Sequence, residues 1–165
     1  MAMADPLIAE LEQEAQSTRR VLERLPEAKL DWRPHPTSWS LGQLALHVAQ
    51  IPGSVSQLAM QNVTTAPAFV QAAPGSKGEV LKAQEENVAK GVAALRAWSD
   101  ADLLDEWSLS VNGEKVMAMP RVGMLRAIMF NHLYHHRGQL LVYLRMLGEP
   151  VPAVYGVSAD ENPFG

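Results

Sequence analysis

No cysteine occurs among the 165 residues, and aromatic side chains make up only 6% of them. The missing cysteine excludes disulfides, Cys-ligated zinc or iron–sulfur centres and a cysteine nucleophile. Charge is sparse too, at 19%, with 14 Lys+Arg against 18 Asp+Glu and a net charge of −4. A general nucleic-acid binder carries a basic face, so this balance predicts no nucleic-acid partner. No apolar run approaches the ~18 residues of a membrane span, which predicts no membrane partner. The opening MAMADPLIAELEQE has neither the basic nor the apolar region of a secretory signal. What the chain does have is hydrophobic residues, 47% of the total. Its length falls in the range of about 100–200 residues typical of one domain. The expectation is a soluble, cytoplasmic chain in which residues 1–165 form a single domain with a C-terminal tail from about residue 149.

Helical periodicity dominates that apolar content. Leu7, Ile8, Leu11, Ala15, Val21, Leu22 and Leu25 recur at helical intervals, with Asp5 and Pro6 as a start signal and Pro26 as a stop. Between Asp31 and Trp39 the prolines Pro34 and Pro36 forbid regular helix, and Trp32 and Trp39 are predicted to pack on the body of the fold. Ser40 with Gln43 reads as a capping box before Leu41, Leu44, His47, Val48, Ile51, Val55 and Leu58, a stripe that Pro52 should kink or end. Residues 61–75 read as a loop. Ser76 with Glu79 opens a third helix through Val80, Gln84, Val88 and Leu95. Trp107, Leu109 and Val111 then alternate up to Asn112-Gly113, a hairpin signal. Pro120 and Gly148 bracket a last helix about 40 Å long. Helices near 5–25, 40–59, 77–97 and 120–147 predict an all-α, antiparallel four-helix bundle with a possible small hairpin between helices three and four.

Of the five histidines, three fall in the last helix, within Asn131-His132-Leu133-Tyr134-His135-His136-Arg137-Gly138-Gln139. At about 100° per residue, His132 and His136 lie about 40° apart and one turn apart, so both can reach one ion. His135, about 60° from His132 on the other side, is a poorer partner. His47 sits on the apolar stripe of helix two, where a buried imidazole needs a partner. A metal shared with His132 and His136 would supply one, with an open coordination position of the kind catalytic sites keep. A hydrogen-bonded core network of the same histidines, with no metal, explains the spacing as well. His35, between prolines, reads as a surface or packing residue.

Other chemistry is thinly represented. There is no Gly-x-Ser-x-Gly elbow and no phosphate-cradling glycine loop. Met117, Met119, Met124 and Met129 read as core filling, and Glu85-Glu86 as a solvated pair. Asp160-Glu161 in the tail is either surface charge or a general base brought over a pocket.

Trp32-Arg33-Pro34, the run from Trp39 to His47 (WSLGQLALH), the run from Asn131 to Leu140 and the tail from Pro150 to Phe164 together resemble the DinB family of damage-inducible four-helix proteins. The resemblance implies a divalent metal, zinc or nickel, held by one histidine of the second helix and two of the fourth. Carried onto this sequence, those ligands are His47, His132 and His136. It also implies a metal-dependent enzyme of the thiol-dependent S-transferase type, acting on a small-molecule substrate with a low-molecular-weight thiol as co-substrate; an open coordination position holding hydroxide would instead serve a hydrolase. On that reading Gln139 is a candidate to orient substrate or ligand, and Arg137 a candidate to hold a substrate carboxylate if it faces the pocket. The alternative is a non-catalytic metal- or ligand-binding stress-response bundle. Relatives, and apolar residues left over on the last helix, point to a homodimer.

Overall fold

The structure, a computed structural model, describes residues 2–65 and 70–165. Its elements run α1 (Ala4–Glu23), a short 3₁₀ turn (Glu27–Lys29), α2 (Leu41–Ala59), β1 (Val63–Thr65), α3 (Lys77–Ala97), α4 (Asp100–Leu104), β2 (Glu106–Val111) and β3 (Glu114–Pro120). The last helix, α5 (121–146), passes through Arg121–Met124, a π-helical stretch Leu125–Phe130, and Asn131–Met146. The four long helices α1, α2, α3 and α5 form the bundle: α3 packs against α1 and α2, and α5 against α2 and α1. No helix among the described residues is long and apolar enough to cross a membrane.

The ends of these elements follow from their capping chemistry. Ser40 Oγ accepts from the Gln43 N–H at 3.2 Å while Gln43 Oε1 accepts from the Ser40 N–H at 3.0 Å, closing the capping box of α2. Ser76 Oγ accepts from the Glu79 N–H to start α3. Gly148, at φ +77°, carries the left-handed cap of α5, where the Glu149 N–H reaches back to the Leu144 carbonyl. Asp5 is not a cap as expected. α1 already begins at Ala4, and the Asp5 carboxylate accepts instead from the Ala2 N–H. Nor does Pro52 end α2, which continues to Ala59 around it. Its buried flank meets α3 at Gly53, where an added Cβ would lie 3.0 Å from Asn87 Cα.

The hairpin β2–β3 turns at Asn112-Gly113, both at positive φ (51° and 84°), as a two-residue hairpin loop requires. The stretch read as loop at 61–75 holds a third strand: β1 pairs in parallel with β2, Val63 opposite Ser108, giving the order β1-β2-β3. Trp107 is buried and donates its indole N–H to Thr64 Oγ1 at 3.1 Å, and Thr64 Oγ1 in turn donates to the Leu58 carbonyl of α2 at 2.8 Å, which ties the sheet to the bundle.

The core runs through Leu11, Leu22, Leu44, Ile51, Leu95, Leu103, Leu125, Phe130, Leu133, Leu140 and Leu144. Met124 and Met129 belong to it as expected, but Met117 lies exposed on β3. The π-helical stretch explains how α5 keeps one face inward along its length. Leu125 and Leu133 are eight residues apart and both buried, whereas an ideal α-helix would set them about 80° apart. An inserted π turn winds the helix back by about one residue and realigns them.

Candidate metal centre

α2 and α5 bring His47, His132 and His136 together. One ligand nitrogen from each lies within 4.8 Å of the others, and the His47 and His132 Nε2 atoms are 3.2 Å apart. His47 is buried, and the other two are half-buried at the seam between the helices. The seam exists because the fully buried stripe of α5 runs through Leu133, Arg137, Leu140 and Leu144, leaving His132 and His136 at its edge. Trp39 closes one side, its ring centroid 4.8 Å from that of His47 and 5.9 Å from that of His136.

Hydrogen bonds to glutamine oxygens assign a tautomer to two of the three rings. His47 Nδ1–H donates to Gln71 Oε1 at 3.1 Å, and the Gln71 amide is oriented by its own donation to the Ala72 carbonyl. His136 Nδ1–H donates to Gln139 Oε1 at 2.7 Å. His132 Nδ1 is buried without a hydrogen bond of normal geometry, and the Ile128 backbone carbonyl is the group that favours a proton there. The Nε2 atoms of His47 and His132 face each other at 3.2 Å, close enough to share either a proton, one ring donating to the other, or an ion. With a proton on Nδ1 of both rings, the two facing lone pairs repel unless a cation lies between them. Oxygen acceptors on the outer nitrogen are also what orients metal-binding imidazoles and raises their basicity. The donor set, three neutral imidazoles, fits zinc or nickel.

The rings are held neutral. Burial, reinforced by His136 and His132, lowers the His47 pKa to about 4, against the opposing Gln71 hydrogen bond. Burial likewise lowers His132 and His136, with His135 adding to both. An unfolded histidine titrates near 6.5, so below that pH the unfolded chain binds protons that the folded chain refuses. The metal-free protein should therefore lose stability as pH falls from about 6.5 towards about 4. Chemical denaturation at a series of pH values checks this. His47→Gln should flatten the slope, and an unchanged slope would remove His47 as its source.

The remaining candidates lie elsewhere. His135 is exposed beside His136, and His35 is exposed and bonded to Thr37. Gln139 touches the centre only through His136. Arg137 turns away from it. Its side chain is 1% exposed and donates to Glu14 at 2.6 Å, to Thr18 Oγ1 and to Tyr155 Oη. The acids of the tail are engaged as well. Asp160 pairs with Arg145, and Glu161 with Arg20 and the Ala153 N–H, which straps the tail across α1 and α5. Glu85 and Glu86 are exposed, as read. Gln71, which orients His47, carried no signal in the sequence. It comes from an irregular segment 24 residues away.

A family-wide sequence model, that of the DinB family, matches residues 1–162. The chain belongs to the DinB family. An uncharacterized protein of Bacillus subtilis strain 168, YrdA, is 29% identical over 161 residues, covering 95% of this chain and 90% of that one. Among solved structures, a DinB-like protein from Bacillus cereus ATCC 10987 superposes with a TM-score of 0.68 at 26% identity, covering 89% of this chain and 94% of that one. The DinB-like protein YjoA of Bacillus subtilis gives 0.69 at 17% identity, over 91% of this chain and 97% of its own. This DinB-family chain thus shares the fold of those proteins and carries three histidines arranged to hold a metal ion.

Proposed function

We propose that this DinB-family protein is a divalent-metal-dependent enzyme acting on a small molecule, of the thiol-dependent S-transferase or hydrolase type. The observation that carries the reading is the inward-facing set of three imidazoles, with the outer nitrogens of His47 and His136 bonded to the Gln71 and Gln139 amide oxygens. Beside them a cavity of about 790 Å³ opens, lined by His47 and His132 themselves. A divalent ion bound by His47, His132 and His136 supplies Lewis acidity towards a thiol or a water. The chain's own residues do the rest. Gln71 and Gln139 fix the rings of His47 and His136, and Trp39 shields one side of the centre from water.

Zinc and nickel titrations, followed by thiol-transfer and hydrolysis screens, test this reading. Gln139→Ala should keep the metal and lower turnover by roughly 10–100-fold, the usual effect of losing a residue that orients a ligand. One observation favours the non-catalytic alternative: Asp160 and Glu161, the acids considered as a general base, are tied into the tail. Metal binding without any reaction across the screens would decide for that alternative.

A further inference from the structure

The cavity beside the triad has a patterned wall. Gln50, Ser54 and Gln57 of α2, with Gln61 just beyond its end, follow His47 at steps of three or four residues and all line the cavity. Residues at that spacing share one helix face, so they form a polar row leading away from the histidines. From His47 to Gln57 the row covers about 15 Å at 1.5 Å per residue. Beside it the lining is apolar, through Ile51, Val55, Leu58 and Ile128. Among the described residues lining this cavity there is no Asp, Glu, Lys or Arg. A second one of about 510 Å³, between α1 and α3, is rimmed by Glu12, Arg19, Glu85 and Arg96.

Glutamine amides both donate and accept, so they pair with neutral polar groups, amides above all. Along this row, away from the triad, an ionised group would exchange water for side chains that offer no counter-charge. Apolar lining beside a row of amides matches a chain that is apolar along one edge and hydrogen-bonding along the other. Resting on the reading of the triad as a metal centre that acts on a small molecule, we propose that this cavity selects an elongated, uncharged, amide-bearing chain. Its reactive end lies at the triad and its amides lie along Gln50, Ser54 and Gln57.

Calorimetry on the zinc-loaded protein with three probes tests the proposal. Pantetheine is an uncharged thiol with two amides. N-ethylpantothenamide is the same arm without the sulfur. Glutathione is a thiol of similar length that carries two carboxylates and an ammonium. Pantetheine should bind at least about tenfold more tightly than glutathione, and the sulfur-free arm should still bind. Gln50→Leu and Gln57→Leu should each weaken both uncharged arms by roughly 2–10-fold, the worth of one hydrogen bond, and leave glutathione unaffected. Melting temperatures of the variants show that they remain folded. Glutathione binding as tightly as pantetheine, or uncharged arms indifferent to both glutamine changes, overturns the proposal. So does a sulfur-free arm that fails to bind, which would place all the affinity on the sulfur and leave the metal reading intact. Loss of the metal reading shows separately, as failure to retain zinc. The sulfur-free arm titrated into metal-free protein then decides the cavity's preference alone, by the same glutamine dependence.

Discussion

Alanine at His136 should abolish retention of divalent metal and, with it, the rise in melting temperature that excess metal gives the wild type. A ligand that binds only the folded chain stabilises it by RT ln(1 + [L]/Kd), about 2.7 kcal/mol at a hundred times Kd. For a chain of this length that is a rise of about 5–11 °C. His136 supplies one of the three nitrogens that converge between α2 and α5. Its loss leaves two donors and an open seam. The same variant should lose any activity that depends on the metal. Differential scanning fluorimetry with and without zinc reads the shift directly. A variant that still gains several degrees from zinc would show that His136 is not a required ligand, and the double variant with His135→Ala would then show whether His135, exposed at the preceding position of the helix, replaces it.

The second large effect lies away from the centre. Arg137→Ala should destabilise the fold by about 3–5 kcal/mol, because it strands the Glu14 carboxylate without its cation. The side chains of the pair are 1% and 8% exposed, and Glu14 would keep only the Tyr155 hydroxyl, at 2.9 Å. Replacing both partners with apolar residues of similar volume, Arg137→Met with Glu14→Leu, should recover most of the loss. Urea denaturation of the single and double variants measures the difference. A single variant within about 1 kcal/mol of wild type would mean that water reaches Glu14 and that the pair is not buried in solution.

Where an element rested on local chemistry, the sequence was a sufficient guide everywhere but at the start of α1, where Asp5 lies inside the helix. The caps at Ser40 and Ser76, the Asn112-Gly113 turn and the Gly148 stop each depend on one or two residues, and all stand where their chemistry requires. The histidine spacing in α5 was legible for the same reason, since two residues one turn apart share a face whatever surrounds them. β1 was not legible. Three residues carry little period, and the strand exists because its partner, β2, lies some 45 residues onward. The π-helical stretch was hidden in the same way, because it answers to which side chains must face the core on both sides of it. Arg137 is the instructive case. Its place one residue after His136 suggested the pocket, yet Leu133, Arg137, Leu140 and Leu144 form the helical stripe that is fully buried. Reading that stripe first would have sent Arg137 to α1 and to an acid there. Gln71 and the strapping of the tail by Asp160 and Glu161 depend on tertiary contacts alone.

The central claim is that His47, His132 and His136 share one divalent ion through their Nε2 atoms. X-ray absorption at the zinc edge, on protein reconstituted with one equivalent of zinc, tests it most directly. The predicted result is a first shell containing three imidazole nitrogens at about 2.0–2.1 Å. It should lose imidazole scattering in His47→Ala, His132→Ala and His136→Ala alike. A shell of oxygens, or one that survives all three substitutions unchanged, would contradict it.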